Sequence, residues 1–285
     1  MKKFIISARP KQILKNSVVF IPLIFTLDQW LSDSIISSLT NSIYCFLAFS
    51  CSSIIGYQIN DWIDKKYDKN HPIKKSRPIA KNLISLKEFY IYIFITFLFG
   101  LAFSLLVNNY VFYMYISYLL LSIFYSLRLK KIILIDSLTV TIFYIIRMIA
   151  GAYSVTLDIS IWLYVLTFFS SLFLIFIKRI SETNIGVYRD EKIVTFYKKI
   201  ANIKIRLLLL FINIFLYIIY AFSEIIFDER NINFSLTIIF FSIGIIRYYL
   251  ITRKNGQGES PESIITKDLL IQVSVISFLV SIYFS

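Results

Sequence analysis

Glycine, proline and cysteine are all scarce in this chain, which has 7, 5 and 2 of them among its 285 residues. Glycine and proline favour turns, so their scarcity indicates few long turns. The sequence also has no low-complexity tract and no strong repeat. Cys45 and Cys51 lie in one apolar run without metal-ligand spacing, so we expect them to pack rather than to form a disulfide or bind zinc. Residues 1–16 are polar and basic and lack a small-residue cleavage site, so we also expect no cleavable signal peptide.

Apolar residues, in contrast, are abundant: 58% of the chain is hydrophobic, 18% is aromatic, and the mean hydropathy is +0.72. A globular domain has about 45–50% apolar residues, so this composition is typical of an integral membrane protein. Nine apolar runs are mostly long enough to cross a bilayer as helices. They are residues 18–39, 42–59, 88–107, 110–127, 133–153, 159–177, 205–223, 234–251 and 268–284.

These runs predict an all-α integral membrane protein with nine transmembrane helices. We expect one polytopic domain over residues 1–285, with residues 1–16 as a cytoplasmic or interfacial N-terminal segment. Asp28 and Asp33 fall near the far end of the first run, which makes it the least regular of the nine.

Charge is distributed unevenly along the chain, whose formal net charge is +13. Lysine and arginine concentrate before the first apolar run and in four connections, residues 60–87, 128–131, 178–206 and 253–267, while the turns between them are short and neutral or acidic. By the positive-inside rule, the N-terminus then lies in the cytoplasm and the C-terminus outside the cell membrane. A basic cytoplasmic face favours lipid headgroups or phosphorylated substrates as partners. We do not expect nucleic acid, because the basic residues lie in membrane-tethered loops.

A cluster of carboxylates directly follows the second apolar run. It consists of Asn60, Asp61, Asp64 and Asp68. If this segment is helical, Asn60, Asp64 and Asp68 are spaced at i, i+4 and i+8 and share one face. Carboxylates stacked in this way repel one another, so a cation must compensate them. Flanking lysines would do so on a solvated face, but in this membrane setting we favour Mg²⁺ held by these four side chains, its own waters and substrate phosphates.

The same connection continues with residues suited to phosphate. Lys74 and Arg77 lie between Pro72 and Pro78, whose rings fix the backbone of the loop. Their donors match phosphate oxygens, and their position within about ten residues of the carboxylates favours a metal–diphosphate site over a merely basic loop. The single histidine, His71, is interpreted as a loop residue rather than as a catalytic acid or base.

Two further places combine charge with apolar surroundings. Asp136 and Arg147 lie eleven residues apart on one helix face, and an arginine at that depth must point into the bundle or a wet cavity. They form either a buried structural network or part of the site, with Asp136 as a second carboxylate. Lys178 and Arg179 end another apolar run, where they either extend to the membrane interface or bind a substrate phosphate.

Residues Asn60–Asp68 resemble the first aspartate-rich motif of the UbiA superfamily of intramembrane transferases. The resemblance covers nearly the whole chain and is closest to the branch of decaprenyl-phosphate phosphoribosyltransferases. Further matching segments are Arg9-Pro10-Lys11-Gln12, Lys15-Asn16, His71-Pro72, Lys74, Arg77–Ala80, Tyr125-Ser126, Leu129-Lys130, Asp136, Arg147, Ala150-Gly151, Lys178-Arg179, Glu182, Arg247-Tyr248 and Pro261-Glu262.

The resemblance implies a nine-helix UbiA-type bundle with a central cavity open to the cytoplasmic side. It implies an Mg²⁺-dependent transfer of 5-phosphoribose from phosphoribosyl diphosphate to a polyprenyl phosphate, within cell envelope polysaccharide biosynthesis. The implied catalytic residues are Asp61, Asp64, Asp68 and Asp136. The implied substrate-binding residues are Lys11, Gln12, Lys15, Asn16, Lys74, Arg77, Tyr125, Lys130, Arg147, Lys178 and Arg179. The apolar spans would also permit a homo-oligomer.

Two other functions stay open at this point. A prenyltransferase that moves an isoprenoid from its diphosphate to an aromatic or haem acceptor would use the same metal site. It normally has a second motif with two aspartates four residues apart, whereas Asp136 is followed four residues later by Val140. A transporter or lipid flippase predicts charges near the bilayer midplane and broken helices, but here the unusual residues gather at the cytoplasmic ends of the runs.

Overall fold

The computed structural model of the chain describes residues 2–25, 35–70, 74–157, 160–184, 191–200, 203–227, 230–253, 258 and 261–285. Within these residues all regular secondary structure is helical, which confirms the predicted all-α class. The α-helices are α1 (Lys2–Ala8), α2 (Pro10–Ile13), α3 (Ile21–Phe25), α4 (Ile35–Ile63), α5 (Lys65–Lys69), α6 (Leu86–Val107), α7 (Asn109–Leu127), α8 (Ile135–Ser154), α9 (Ile161–Asn184), α10 (Glu191–Ile200), α11 (Ile203–Phe227), α12 (Leu236–Thr252), α13 (Pro261–Lys267) and α14 (Leu269–Tyr283). Short 3₁₀ helices cover Leu14–Phe20, Lys74–Ser76, Leu129–Lys131 and Ile232–Ser235.

Seven of the described helices are long and apolar enough to cross a bilayer. An eighth crossing follows if α13 and α14, which meet at 82°, form one broken span. The chain therefore has the make-up of a multi-pass membrane protein. The predicted runs from residue 42 onward coincide with α4, α6, α7, α8, α9, α11, α12 and α14.

The predicted first run, residues 18–39, is divided. Its described beginning belongs to the 3₁₀ helix Leu14–Phe20 and to α3, and its end, from residue 35, belongs to α4. Residues 26–34 lie outside the described part of the chain. A count of nine spans therefore remains a prediction.

The membrane helices carry apolar side chains on several faces because bilayer hydrocarbon can cover what the protein does not. On α6, Phe94 and Leu98 are exposed, whereas Thr96, Gly100 and Ser104 are buried at four-residue intervals. Such a stripe of small residues lets a neighbouring helix approach closely. The buried side of α6 is thus marked by small residues rather than by greater hydrophobicity.

The chain divides into two compact units, residues 1–158 and 159–285. In the first unit α4 packs against α6, α7 and α8, while α1 lies on α4 and the 3₁₀ helix Leu14–Phe20 lies on α8. Gly151 of α8 permits that last approach, because a Cβ at this position would lie 2.0 Å from the carbonyl oxygen of Val19. The C-terminal end of α4, with the carboxylate cluster, belongs to this unit.

In the second unit α12 packs along α11 and α14, and α11 packs along α9. Arg247 of α12 donates through Nε and Nη2 to Asp268, with distances of 2.9–3.3 Å. Asp268 also accepts a hydrogen bond from the backbone N–H of Ile271 at 3.1 Å and so caps α14. One carboxylate therefore joins α12 to the bend between α13 and α14.

Candidate active site

The predicted carboxylate cluster lies where α4 ends. Regular helix stops at Ile63, and Asp64 adopts φ −88° and ψ 1° before α5 begins. The helical hydrogen bonds nevertheless continue across the break, from Asp64 N–H to the Asn60 carbonyl at 3.0 Å and from Asp68 N–H to the Asp64 carbonyl at 2.9 Å. Asp61, Asp64 and Asp68 are all buried, with 3%, 4% and 1% of their surface exposed. Three buried carboxylates require strong compensation.

Lys130 compensates one side of this cluster. Its Nζ donates to the side-chain oxygen of Asn60 and to Oδ1 of Asp64, both at 2.9 Å. The 3₁₀ helix Leu129–Lys131, between α7 and α8, positions this ammonium group. Burial is the main cause that lowers the pKa of Lys130 to about 8, and the neighbouring Lys131 lowers it further, against the charges of Asp68 and Asp61.

Two arginines compensate the other side. Nη1 of Arg77 donates to Asp61 Oδ1 at 2.9 Å and to Asp68 Oδ2 at 2.7 Å. Nη2 of Arg9 donates to the same oxygen of Asp61, and its guanidinium lies 5.1 Å from the ring centroid of Tyr57. Burial and the nearby Arg9 lower the pKa of Arg77, against the charges of Asp61 and Asp68. The two guanidinium groups thus share one carboxylate oxygen.

The ion pairs of the cluster, within the described residues, join three carboxylates to three cations. The carboxylates of Asp61, Asp64 and Asp68 face the cations of Arg9, Arg77 and Lys130. The single acidic face that the i, i+4, i+8 spacing predicts is therefore divided: Asn60 and Asp64 share Lys130, while Asp61 and Asp68 share Arg77. In each of these two pairs, the side-chain oxygens of two residues accept hydrogen bonds from the same cationic nitrogen.

The donor chemistry of the cluster fits Mg²⁺, which prefers carboxylate and amide oxygens and keeps several ligands from water and substrate phosphate. Lys130 and Arg77 mark two places where oxygens from different residues already converge on positive charge. Among the described residues, no three acidic, histidine or cysteine side chains gather as a complete metal site. An ion held here would need the amide of Asn60, water or phosphate to complete its coordination.

A second polar group lies deeper in the first unit. Arg147 donates through Nη2 to the Tyr118 hydroxyl, which lies 3.3 Å from the hydroxyl of Ser53. Ser53 donates to the side-chain oxygen of Asn16 at 3.1 Å, and Asn16 donates to Ser50 at 3.3 Å. All five side chains are buried. The sequence-predicted residues Asn16 and Arg147 are therefore linked to each other by a polar chain through Tyr118 and Ser53.

We expect Tyr118→Phe to lower the free energy of unfolding by about 1–3 kcal/mol. The change removes the acceptor of Arg147 Nη2, and Nε of Arg147 has no hydrogen-bond partner in the described structure. Thermal unfolding in detergent measures the effect. Tyr113→Phe on the exposed face of α7 is the matched control, because Tyr113 is 59% exposed. Equal losses in the two variants would contradict a stabilising role for the Tyr118 hydroxyl.

Four other predicted site residues belong to the same unit. Lys11 is exposed, and Gln12 lies beside Arg9, with 3.5 Å between Gln12 Oε1 and Arg9 Nη1. Lys15 and Lys74 are half-buried. The described part of the first unit thus places Gln12 next to the carboxylate cluster.

Tyr125 and Asp136 lie at the ends of α7 and α8 that flank Lys130. Tyr125 is half-buried and packs edge-on against Phe143, with 5.9 Å between ring centroids. Asp136 is buried in the first turn of α8. His71 falls outside the described residues.

Lys178 and Arg179 belong to the second unit, near the end of α9. Both pair with Glu182, Lys178 Nζ at 3.8 Å and Arg179 Nη1 at 2.8 Å. Their spacing of four and three residues is one that a helix brings together. A contact with substrate by either cation remains a prediction.

Sequence reasoning missed Arg9, Tyr118 and Ser53 as members of these groups. Arg9 belongs to a segment that carries the family resemblance, but its role depends on a left-handed backbone, φ 54° and ψ 64°, and on Asp61, 52 residues away. Tyr118 and Ser53 lie among many tyrosines and serines of apolar runs. Their polar partners become visible only once α4 and α7 are packed together.

Comparison with known proteins identifies the fold. A model of the UbiA prenyltransferase family matches residues 19–266. The chain belongs to the UbiA family. This confirms the family indicated by residues Asn60–Asp68, and the chain is therefore an enzyme of the UbiA transferase family.

Relatives of known name cover almost the whole chain. The chain is 24% identical over 278 residues to decaprenyl-phosphate phosphoribosyltransferase of Mycobacterium tuberculosis. The aligned region covers 96% of this chain and 91% of that protein. The protein of the same name from Mycolicibacterium smegmatis is 24% identical over 293 residues, with 98% and 92% covered. A solved UbiA homolog from Archaeoglobus fulgidus, bound to GPP and Mg²⁺, is similar with a TM-score of 0.75 at 16% identity, covering 99% of this chain and 98% of the other. The structural likeness shows a UbiA-type fold.

Proposed function

We propose that this enzyme transfers 5-phosphoribose from phosphoribosyl diphosphate to a polyprenyl phosphate and releases diphosphate. The observation that carries the proposal is the cluster in which Arg77 and Lys130 lie against Asp61, Asp64 and Asp68. It combines the oxygens that hold a divalent ion with the cations that bind phosphate. The near-full-length similarity to two decaprenyl-phosphate phosphoribosyltransferases supports this substrate pair.

The reaction breaks the bond between the anomeric carbon of ribose and the diphosphate oxygen, which keeps the electron pair. An oxygen of the polyprenyl phosphate forms the new bond to that carbon. The acceptor oxygen is already anionic, so the protein needs no strong base and contributes mainly positioning and charge stabilisation.

The residues of the cluster divide these tasks. Asn60, Asp61, Asp64 and Asp68 would hold Mg²⁺, which when bound neutralises charge on the leaving diphosphate. Arg77 and Lys74 would donate to diphosphate oxygens, and Lys130 lies on the opposite side of the cluster. We assign Tyr125 to substrate binding. We assign Asp136 to the catalytic group. We assign the remaining predicted cations and amides to donor and acceptor phosphates: Lys11, Gln12, Lys15, Asn16, Arg147, Lys178 and Arg179.

The proposal includes an arrangement in the membrane. Residues 1–285 act as one transferase domain with nine spans around a cavity that opens to the cytoplasm. The N-terminus and the active site lie on the cytoplasmic side of the cell membrane, where phosphoribosyl diphosphate is soluble, and the C-terminus lies outside. The polyprenyl tail stays among apolar helix faces while its phosphate reaches the interface. Homo-oligomers are compatible with these exposed apolar faces.

We expect purified protein with Mg²⁺ to convert labelled phosphoribosyl diphosphate and polyprenyl phosphate into a labelled product that extracts into organic solvent. Chelation of divalent ions should abolish this transfer, and added Mg²⁺ should restore it, because the ion would neutralise charge on the leaving diphosphate. Thin-layer chromatography of the extract measures the product.

Transfer of an isoprenoid from its diphosphate to an aromatic or haem acceptor is the second candidate function. It is favoured by the matching family, described as prenyltransferases, and by the fold shared with an archaeal homolog bound to GPP. The same preparation should therefore be tested with geranyl diphosphate and a hydroxybenzoate acceptor. Prenyl transfer without any labelled phosphoribosyl lipid would overturn our proposal.

A further inference from the structure

Arg9 differs from the other two cations in how it is held. Arg77 contacts Asp61 and Asp68, and Lys130 contacts Asp64 and Asn60, so each keeps a second oxygen if one is withdrawn. Among the described residues, the only carboxylate that Arg9 contacts is Asp61. Its remaining side-chain contacts are the ring of Tyr57 and a 3.5 Å contact to Gln12. Within the described structure, Arg9 therefore depends on Asp61 for its ion pair.

The backbone at Arg9 is strained. Its φ of 54° and ψ of 64° lie in the left-handed region, which a residue with a Cβ adopts at a cost. Arg9 joins α1 to α2, so this conformation sets the direction in which α1 leaves the site. The contact with Asp61 helps to hold a conformation that the backbone by itself disfavours.

The segment before Arg9 is anchored independently. Lys3 contacts Glu88 at 2.6 Å and donates to the Leu83 carbonyl at 3.0 Å. Ser7 and Gln58 exchange buried hydrogen bonds of 3.0 and 2.6 Å. Release of Arg9 from Asp61 would therefore leave α1 attached to α4 and α6. Its guanidinium, with 17% of the side chain exposed, would be free to turn while the fold stays intact.

We propose that Arg9 is a further donor-binding residue, which pairs with Asp61 and turns to the donor diphosphate when a divalent ion binds Asp61. The proposal rests on the proposed function for the presence of a diphosphate donor. A divalent ion at Asp61 repels both guanidinium groups on that oxygen. Arg77 would keep its contact with Asp68, whereas Arg9 would lose its contact with Asp61 and bind the diphosphate instead.

This mechanism predicts opposite effects of one substitution on two ligands. In Arg9→Gln the competing cation is gone, so Mn²⁺ alone should bind at least about threefold more tightly. With Mn²⁺ saturating, inorganic diphosphate should bind at least about tenfold more weakly, because a charge-assisted contact is lost. Electron paramagnetic resonance of free Mn²⁺ measures the first affinity, and equilibrium binding of labelled diphosphate measures the second.

Three variants make the result specific. Lys3→Gln removes another cation of the N-terminal segment, one that does not contact the cluster, and should leave both affinities unchanged. Arg9→Lys keeps the charge and should restore most of the diphosphate affinity. Arg77→Gln removes the cation shared by Asp61 and Asp68 and serves as the comparison within the cluster. If Arg9 were only structural, Arg9→Gln would weaken both ligands together, and that result would overturn the proposal.

The probes separate this proposal from the proposed function. Mn²⁺ and diphosphate are common to phosphoribosyl and prenyl donors, so their affinities report on Arg9 under either reaction. If Arg9→Gln shows the opposite shifts but the enzyme transfers only isoprenoids, the proposed function fails and the role of Arg9 stands. If transfer of phosphoribose is observed and the affinities do not move in opposite directions, the role of Arg9 fails alone.

Discussion

Asp68→Asn is expected to reduce the proposed phosphoribosyl transfer at least about a hundredfold, because loss of one charge-stabilising group in an active site commonly has that effect. Asp68 is almost fully buried, and its Oδ2 accepts from Arg77 Nη1 at 2.7 Å. Asparagine keeps the shape but removes the negative charge, so the cluster would lose its charge balance and the proposed divalent ion would lose a charged ligand. Initial rates of labelled lipid formation at saturating Mg²⁺ measure the loss.

The matched control for this variant is Glu88→Gln. Glu88 also pairs with a cation, Lys3, at 2.6 Å, but it lies in the first turn of α6, where it contacts Lys3 and Ser85. Glutamine retains the capping interaction with Ser85. We expect its transfer rate to stay within about threefold of wild type. A properly folded Asp68→Asn protein with undiminished transfer would rule out a metal role for this cluster.

Gly151→Ala should lower the free energy of unfolding by about 2–3 kcal/mol, near the upper end of what overpacking costs. The added Cβ would meet the Val19 carbonyl oxygen at 2.0 Å and its carbon at 2.8 Å. These are backbone atoms, which cannot move aside by a change of rotamer, so the 3₁₀ helix Leu14–Phe20 would separate from α8. A drop in the thermal midpoint in detergent of about 5–10 °C is expected.

Gly244→Ala provides the comparison on a helix of the second unit. Its added Cβ would meet only Oγ of Ser274, at 2.9 Å, and that side chain can rotate. Alanine also favours a helix over glycine by about 1 kcal/mol, so this variant should be as stable as wild type or slightly more so. A thermal midpoint of Gly151→Ala that matches that of Gly244→Ala would contradict the close approach of Val19 to α8.

The helices were largely predictable because lipid imposes a simple requirement on length and apolarity. Boundaries of α6, α7 and α8 lie within two residues of the predicted runs. The first run was less predictable because Asp28 and Asp33 interrupt it and because α4 extends back to Ile35. Hydrophobic periodicity does not reveal which face of such a helix is buried, since lipid and protein interiors are both apolar.

The acidic residues of the candidate site were predictable from the sequence, whereas the pairing of these acids with cations was not. The spacing of Asn60, Asp64 and Asp68 indicates a shared helix face, but which cation contacts which acid depends on loops far away in sequence. Lys130 reaches Asp64 across 66 residues, and Arg9 reaches Asp61 across 52. Only the pairing of cations with Glu182 in α9 follows from local spacing, because a helix places those side chains together.

The charge balance of the cluster has a consequence for the order in which ligands arrive. The three carboxylates and three cations of these ion pairs cancel in formal charge, so by themselves they add little to the attraction that the surrounding basic loops exert on a highly anionic donor. A divalent ion adds two positive charges to a buried, poorly screened position. Under the proposed function, the ion, or its complex with the donor, is therefore the species that enters productively, and initial-rate kinetics should be ordered rather than random.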